Sequence, residues 1–253
     1  MGSWVERALS TRNLNKSFGS LVVAQDIALE LPQGVRYALI GPNGAGKTTL
    51  MNLLTGMLRP DSGHVFLGGD EITSLRPDAR VKKGLARTFQ INTLFPQLSA
   101  IESVALAVLE REGAAHNWWR GLPRFSAVID EAHAILSSLG LASASFRITR
   151  ELPYGQQRLL EIALALATRP RVLLLDEPAA GVPKDESAVL FDAIANLSRS
   201  LTILFIEHDM DVVFRFASNI IVMVGGRILV EGPPQDIARD ERVREVYLGT
   251  AHA

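Results

Sequence analysis

The nine residues from Gly41 to Thr49 have the types and spacing needed to hold a phosphate group. Their sequence, G-P-N-G-A-G-K-T-T, fits the pattern G-x-x-x-x-G-K-[ST] of a phosphate-binding loop, or P-loop. Glycines let the backbone curl so that several N–H groups point at one anion, while Lys47 adds a charge for the outer phosphates and Thr48 a hydroxyl for Mg²⁺. The sequence therefore predicts a nucleotide site formed by Gly41, Pro42, Asn43, Gly44, Ala45, Gly46, Lys47, Thr48 and Thr49.

The segments on both sides of this loop have the patterns of a strand and a helix. Residues 35–40 (V-R-Y-A-L-I) are a short, mostly apolar run that is typical of a strand. Residues 49–57 place four apolar side chains on one helical face, namely Leu50, Leu53, Leu54 and Met57. We expect the N-terminus of that helix to add the positive end of its dipole to the phosphate site.

Two adjacent carboxylates, Asp176 and Glu177, follow the apolar run 171–175. Ligands of open parallel sheets bind at the carboxyl ends of strands. A nucleotide hydrolase needs one acid that holds hydrated Mg²⁺ and a second group that orients or deprotonates the attacking water. Alone, such a pair is usually a solvated loop start, but the nearby P-loop motif favours the catalytic interpretation.

Three single residues allow both a functional and a structural interpretation. Gln90 stands where the α/β part meets a helical part, and its side-chain oxygen either ligates Mg²⁺ or is simply solvated. His208 follows the apolar run 201–206 and is either catalytic or structural. Phe18 follows N-K-S and either stacks on a base or packs into the core.

Two further segments also leave alternatives open. The segment 152–157 (L-P-Y-G-Q-Q) precedes a predicted helix, so N–H groups near Gly155 either receive an anion or belong to an ordinary helix start. Trp118 and Trp119 lie in a loop-rich insertion, 113–123, and either anchor a partner or fix the insertion to its own domain.

Composition narrows the class of protein. The 253 residues are 47% hydrophobic and 21% charged, as in ordinary globular proteins, and the net charge of −1 gives no general attraction to nucleic acid or anionic lipid. The absence of cysteine excludes disulfides and cysteine-held metal sites, and the five histidines show no metal-site spacing. The N-terminus lacks the apolar core of a signal peptide, and no run of 18 apolar residues occurs. We therefore expect a soluble, intracellular protein with at most a peripheral membrane role.

Periodicity divides the chain into three stretches. Short strand-like runs fill residues 8–40, and residues 91–169 have helical patterns that include the capping-box form S-A-I-E at 99–102. Beyond residue 170 apolar strand patterns alternate with helical ones and end in a predicted hairpin at 220–230. The pattern predicts one α/β nucleotide-binding core, residues 1–90 and 170–253, interrupted by a helical insertion at 91–169.

Taken together, these motifs resemble the ATPase subunit of ABC transporters over nearly the whole chain. The matching segments are the P-loop (Walker A), Gln90 (Q-loop), 152–157 (signature segment), R-V-L-L-L-D-E-P at 171–178 (Walker B with the catalytic glutamate) and His208 (switch histidine). Closer details resemble the LivG-type subunit of branched-chain amino acid importers: D-E-P-A-A-G at 176–181, I-E-H-D-M at 206–210, the insertion after 110 and V-Y-L-G at 246–249.

This resemblance implies a fold and an activity. The fold is α/β, a P-loop NTPase with a RecA-like core, an N-terminal antiparallel β-subdomain and an inserted helical subdomain that carries the signature segment. The activity is ATP hydrolysis that powers solute import, for branched-chain or related amino acids, from the cytoplasmic face of the cell membrane. The implied partners are a second ATPase subunit in a homo- or heterodimer, integral membrane permease subunits and a separate solute-binding protein, with no nucleic acid.

The resemblance also implies roles for individual residues. Two subunits hold two ATP molecules head to tail, so that each P-loop faces the partner's signature segment. Glu177 polarises the attacking water, and His208 steadies the γ-phosphate. Phe18 contacts the nucleotide. Thr48, Gln90 and, through water, Asp176 hold Mg²⁺, and Gln90 also takes part in catalysis. The residues that face the partner's ATP are Leu152, Pro153, Tyr154, Gly155 and Gln156.

Two positions depart from the family pattern. Pro153 stands where the signature segment usually has serine, which removes a hydroxyl contact to the γ-phosphate but leaves the Gly155 N–H. Pro183 falls on or near the usual aspartate of the D-loop and affects its contact across the dimer.

Two other classes of P-loop protein fit the sequence less well. A nucleic-acid-processing ABC ATPase would carry two cassettes, coiled-coil arms or a basic excess, which this sequence lacks. A P-loop GTPase would need N-K-x-D, and the only Asn-Lys, at 15–16, precedes the P-loop. Within the transporter interpretation, the solute stays open to urea, amides or aromatic acids, because specificity should reside in the other subunits.

Overall fold

The computed structural model describes residues 6–88, 94–113 and 122–248. The strands are β1 (Arg7–Phe18), β2 (Leu21–Ile27), β3 (Glu30–Pro32), β4 (Arg36–Ile40), β5 (Ser62–Leu67), β6 (Asp70–Glu71), β7 (Leu85–Arg87), β8 (Val172–Asp176), β9 (Thr202–Ile206), β10 (Asn219–Val224) and β11 (Arg227–Gly232). The helices are α1 (Lys47–Thr55), α2 (Pro77–Lys82), α3 (Ala100–Arg111), α4 (Leu122–Ser138), α5 (Tyr154–Ala167), α6 (Lys184–Ala195), α7 (Met210–Phe216), α8 (Pro234–Ile237) and α9 (Glu241–Leu248). Two short 3₁₀ turns occupy Ala142–Ala144 and Thr149–Glu151.

The chain forms two compact units. The first holds residues 1–85, 171–177 and 199–253, and the second holds residues 86–170 and 178–198. The second unit therefore contains the predicted helical insertion and, in addition, the segment 178–198 that follows the two carboxylates. The division at 91–169 drawn from the sequence stays a prediction about the functional subdomains.

A mixed sheet positions the chemistry-bearing residues of the first unit. Its strand order is β11-β10-β4-β9-β8-β7. The four adjacent strands β10, β4, β9 and β8 are parallel to one another. Strands β8 and β9 are buried along almost their whole length, which explains their continuous apolar sequences. In the register Ile206 lies beside Leu39 on one side and Asp176 on the other. The residues that follow β4, β8 and β9 therefore emerge at the same edge of the sheet.

A second, antiparallel sheet belongs to the same unit. Its order is β2-β1-β5-β6, and β3 also pairs with β1. The long strand β1 is bulged, with register shifts near Leu14 and Lys16 and a positive φ at Asn13. The β1–β2 hairpin ends at the pair Phe18 and Leu21.

Helix α1 connects the two sheets of the first unit through its apolar side. Leu50, Leu53 and Leu54 are fully buried in the common core, as their helical spacing predicted. Met57 lies beyond the end of the helix and is 57% exposed, so its predicted place on the buried face is wrong. The helix ends at Gly56, whose positive φ supplies the left-handed cap.

The second unit is built from helices that pack against α3. The predicted capping box is present at its start: Ser99 accepts from the Glu102 N–H, and the Glu102 carboxylate accepts from the Ser99 N–H at 2.7 Å. Helices α4 and α5 pack on α3 and on each other, and α6 packs on α5. Buried apolar residues such as Val104, Leu136 and Ile162 form this core.

Candidate nucleotide-binding site

The P-loop connects β4 to α1, as the sequence predicted, and its glycines adopt left-handed backbone conformations. Gly41 has φ of 152° and Gly46 has φ of 100°. A Cβ on Gly41 would collide with the carbonyl oxygen of Met223, and one on Gly46 with that of Val23. Glycine is therefore required at both positions by backbone conformation and by space.

The first turn of α1 leaves its N–H groups free of a side-chain cap. Gly46 is the N-cap residue, and glycine has no side chain that could cap the N–H groups of the first turn. Uncapped N–H groups at a helix start, together with the helix dipole, form a ready site for an anion. The local geometry thus has the features of a phosphate cradle.

Lys47 lies buried beside this cradle. Its ammonium donates to the carbonyl oxygens of Gly41, at 2.7 Å, and of Pro42, at 3.1 Å. Burial lowers the pKa of Lys47, while the negative charges of Glu177 and Asp176 act in the opposite direction. The ammonium therefore lies within electrostatic reach of both carboxylates.

Glu177 and His208 form a hydrogen-bonded pair after β8 and β9. The His208 Nε2 and the Glu177 Oε1 are 2.8 Å apart, and both side chains keep substantial exposure to solvent. The Glu177 N–H donates to the carbonyl of Ile206 at 3.1 Å, which ties the end of β8 to the end of β9. Glu177 has a φ of 48°, an uncommon conformation for a residue other than glycine.

One cavity of about 290 Å³ brings these groups together. Its lining comprises Leu21, Val23, the segment 43–49, Glu177 and His208. The P-loop backbone, a lysine, a carboxylate and an imidazole thus line one cavity. Such a site can bind a polyphosphate and place a water molecule beside a base.

Two apolar residues of this lining, both on β2, were missed by sequence reasoning. Leu21 and Val23 were predicted only as part of a strand, whereas they form an apolar wall of the cavity. Both side chains lie on one face of β2 because they are two residues apart, but the apolar run 21–24 is continuous and shows no alternation that would have marked this face. Phe18 lies at the other end of the same hairpin turn, 53% exposed, with the Lys16 ammonium 5.6 Å from its ring centre. Phe18 is therefore accessible for stacking and is not a core residue.

The predicted signature segment lies in the second unit at the start of α5. Leu152 is buried, and Pro153 is the N-cap residue of α5, with no side-chain hydrogen bond to the helix. The Gly155 N–H donates to the Glu186 Oε2 at 3.3 Å. The buried Gln156 Oε1 has no hydrogen-bond partner among the described residues.

The remaining predicted residues either lie outside the described part of the chain or make no contact that defines a role. Gln90, Trp118 and Trp119 lie outside the described residues, so their predicted roles stay predictions. Thr48 is exposed at the start of α1, and Pro183 is the N-cap residue of α6. Within residues 6–88, 94–113 and 122–248, no helix combines the length and apolar character that crossing a bilayer requires.

Two family models match this sequence. The family described as ABC transporter matches residues 24–180. The family described as branched-chain amino acid ATP-binding cassette transporter matches residues 227–253. The first match covers the P-loop, the segment 152–157 and the adjacent carboxylates, and the second covers the C-terminal part.

Individual proteins are similar over nearly the full length. The high-affinity branched-chain amino acid transport ATP-binding protein BraF of Pseudomonas aeruginosa is 38% identical over 252 residues, covering 96% of this chain and 98% of BraF. The corresponding LivG of Escherichia coli is 38% identical over 253 residues with the same shares covered. A solved ATP-binding cassette of an ABC transporter, in its ADP conformation, superposes with a TM-score of 0.84 at 30% identity, covering 96% of this chain and 99% of that one. These similarities confirm the fold class predicted from the sequence.

Proposed function

This chain belongs to the family of ATP-binding subunits of ABC transporters, which hydrolyse ATP, and on that premise we propose that it powers the import of branched-chain or related amino acids. The relatives BraF and LivG are named for branched-chain amino acid transport. The match of residues 227–253 to the cassette family of that transport supports the same solute class.

The observation that carries the catalytic proposal is the Glu177–His208 pair in the P-loop cavity. The pair shares about 290 Å³ of space with Lys47 and the loop backbone, so an ATP γ-phosphate held by the loop would lie close to both side chains. We assign to Glu177 the role of polarising the attacking water and to His208 that of steadying the γ-phosphate. Proton transfer by a positioned side chain typically contributes about 10²- to 10⁴-fold to a rate.

The oxygen donors near the P-loop fit Mg²⁺. The Thr48 hydroxyl is exposed at the start of α1, and Asp176 ends β8 within electrostatic reach of Lys47. Among the described residues, no group of three or more acidic, histidine or cysteine side chains is arranged to hold a metal. We propose that phosphates and water supply most of the ligands. We assign Thr48, Gln90 and, through water, Asp176 to the ion, which would neutralise charge on the β- and γ-phosphates.

The signature segment completes the proposal, because its role lies in a second subunit. Leu152, Pro153, Tyr154, Gly155 and Gln156 would face the ATP of a partner ATPase, in a homo- or heterodimer, while Phe18 would lie against the base of the chain's own ATP. Gln90, at the entrance to residues 91–169, would couple the γ-phosphate to the permease subunits. The complex would lie at the cytoplasmic face of the cell membrane and receive solute from a separate binding protein.

The Glu177→Gln variant tests the catalytic assignment. Because an amide cannot accept the proton of water, we expect ATP affinity to stay within about twofold and turnover to fall about 100-fold or more. ATP affinity is measured by isothermal titration calorimetry and turnover by phosphate release. Glu110→Gln, which neutralises an exposed carboxylate on α3, is the control. Turnover of the Glu177→Gln protein within about threefold of the control would remove Glu177 from this role.

The solute class is tested in the assembled transporter. The chain is co-purified with its membrane subunits, reconstituted in lipid vesicles and assayed for ATP hydrolysis with the binding protein present. We expect stimulation by leucine, isoleucine or valine. Stimulation by urea or a short amide, with none by these amino acids, would contradict the solute assignment and leave the ATPase assignment intact.

A further inference from the structure

The N-terminus of α5 already holds a carboxylate of the same unit. The Gly155 N–H donates to the Glu186 Oε2 at 3.3 Å, and the position of a Cβ on Gly155 would lie 2.6 Å from that oxygen. Gly155 is buried, whereas Glu186 is exposed. The carboxylate therefore occupies the space next to the glycine and remains accessible from solvent.

Pro153 explains why an N–H group at this end of α5 bonds to the carboxylate of Glu186 and not to a capping side chain. Serine, threonine, aspartate or asparagine at an N-cap position accepts a hydrogen bond from the first turn, and proline cannot. Pro153 accordingly makes no side-chain bond to α5, a helix of 14 residues. The Glu186 carboxylate supplies both an acceptor and a negative charge for the positive end of the helix dipole.

The loop before α6 is attached to α5 by other contacts. The Tyr154 hydroxyl and the Arg158 guanidinium both donate to the carbonyl of Ala180, at 3.1 and 3.3 Å. The Gly181 Cα lies against the Tyr154 ring so closely that a Cβ there would be 3.1 Å from the hydroxyl. These contacts bring the start of α6, and with it Glu186, next to the first turn of α5.

We propose that Glu186 is an internal competitor for the phosphate position on α5. In the separate subunit its carboxylate holds the Gly155 N–H, and it withdraws when the ATP of the partner subunit binds there. The inference rests on the proposed function, which assigns this segment to the partner's ATP. A carboxylate and a phosphate need the same N–H group, and their like charges disfavour simultaneous occupancy. Because the Glu186 side chain is exposed, it can move away without disturbing the core.

The test is ATP-driven dimerisation in the Glu177→Gln background, which keeps ATP intact. Glu186→Gln retains an oxygen that accepts from the Gly155 N–H but removes the charge. We expect the ATP concentration for half-maximal dimerisation, measured by analytical ultracentrifugation, to fall about threefold or more, because a charge at a helix terminus has effects of this order. Glu110→Gln in the same background should leave the concentration unchanged. Glu186→Asp, whose side chain is shorter by one methylene, serves if the first variant fails to fold and should shift the concentration the same way.

A second variant distinguishes a failure of the Glu186 proposal from a failure of the proposed function on which it rests. Gly155→Asp in the Glu177→Gln background should prevent dimerisation, since a fixed carboxylate would stand in the phosphate position. Dimerisation equal to that of Glu177→Gln alone would overturn both the role of the segment and the competitor. The other informative result is that Gly155→Asp blocks dimerisation, whereas Glu186→Gln leaves the ATP concentration for half-maximal dimerisation unchanged or raises it. That result would refute the competitor role of Glu186 and leave the role of the segment intact.

Discussion

Acid should weaken the second unit through one carboxylate, that of Glu131 on α4. The Arg111 guanidinium at the end of α3 donates to both Glu131 oxygens, at 2.7 and 2.9 Å. Arg169 donates to the same two oxygens at 3.0 and 2.9 Å, and Arg111 also donates to the carbonyl of Ala167 at the end of α5. The Glu131→Gln substitution removes the charge on which these contacts converge.

The size of the effect follows from the pKa of Glu131. Hydrogen bonding to Arg111, and then to Arg169, lowers this pKa to about 2 from the usual 4.5, against the opposing effect of burial. A lowering of this size corresponds to about 3 kcal/mol at neutral pH. Because the Arg169 side chain is 69% exposed, solvent screening reduces the expected value to about 1–2 kcal/mol.

The sign of the pH dependence is fixed by the direction of the shift. A carboxylate whose pKa is lower in the folded protein stabilises the fold fully above its unfolded pKa, near 4.5. That stabilisation is lost as the pH falls toward about 2, where Glu131 becomes protonated in the folded state too. Glu131→Gln should therefore cost stability at pH 7 and only about a quarter as much near pH 2.5, where the folded protein still keeps much of the Glu131 charge.

Urea unfolding followed by circular dichroism measures the difference. At pH 7 the Glu131→Gln protein should lose about 1–2 kcal/mol relative to the wild type, and at pH 2.5 less than about 0.5 kcal/mol. The Glu110→Gln protein, which neutralises an exposed carboxylate on α3, should match the wild type at both pH values. An equal loss for Glu131→Gln at both pH values would show that packing, and not charge, is responsible.

Two further predictions concern cationic side chains of the first unit. Lys47→Ala should weaken ATP binding roughly tenfold or more in calorimetry, since a hydrogen bond to a charged group contributes about 1.5–3 kcal/mol; unchanged affinity would contradict its phosphate role. Arg80 is fully buried and donates to four carbonyl oxygens, two at the end of α1 and two in the segment 73–75. Arg80→Ala should lower the free energy of unfolding by about 2–4 kcal/mol, and Arg80→Lys should recover only part of it, because one ammonium cannot bond four carbonyls. A melting temperature of Arg80→Ala equal to that of the wild type would refute this.

Local patterns sufficed to predict the buried strands and the P-loop helix. Strands β8 and β9 are continuous apolar runs because both of their faces are covered, and such runs are visible in sequence. Strand β1 was not predicted over its full length, because its bulges interrupt the alternation and place polar residues such as Asn13 and Lys16 in a strand. Helices α2 and α7, of six and seven residues, are too short for a periodic pattern.

The composition of the cavity could be predicted in part. The P-loop, Glu177 and His208 follow strands that are neighbours in a parallel sheet, so their shared edge followed from the motifs. The Glu177–His208 bond and the Gly155–Glu186 bond each join residues 31 positions apart, and no local pattern encodes such contacts. Their distances depend on how strands and helices pack, which the sequence does not display.

The backbone at Glu177 gives a separate argument for its chemistry. A positive φ costs a residue with a Cβ about 1 kcal/mol or more, and glycine would avoid that cost. Pro178 follows and disfavours the right-handed helical conformation for Glu177, so the next residue in the chain also restricts the backbone conformation of Glu177. The bond from the Glu177 N–H to Ile206 and the contact with His208 hold the strained conformation in place. Because glycine would relieve the strain but remove the carboxylate, a glutamate kept in this conformation favours a functional reason for its side chain.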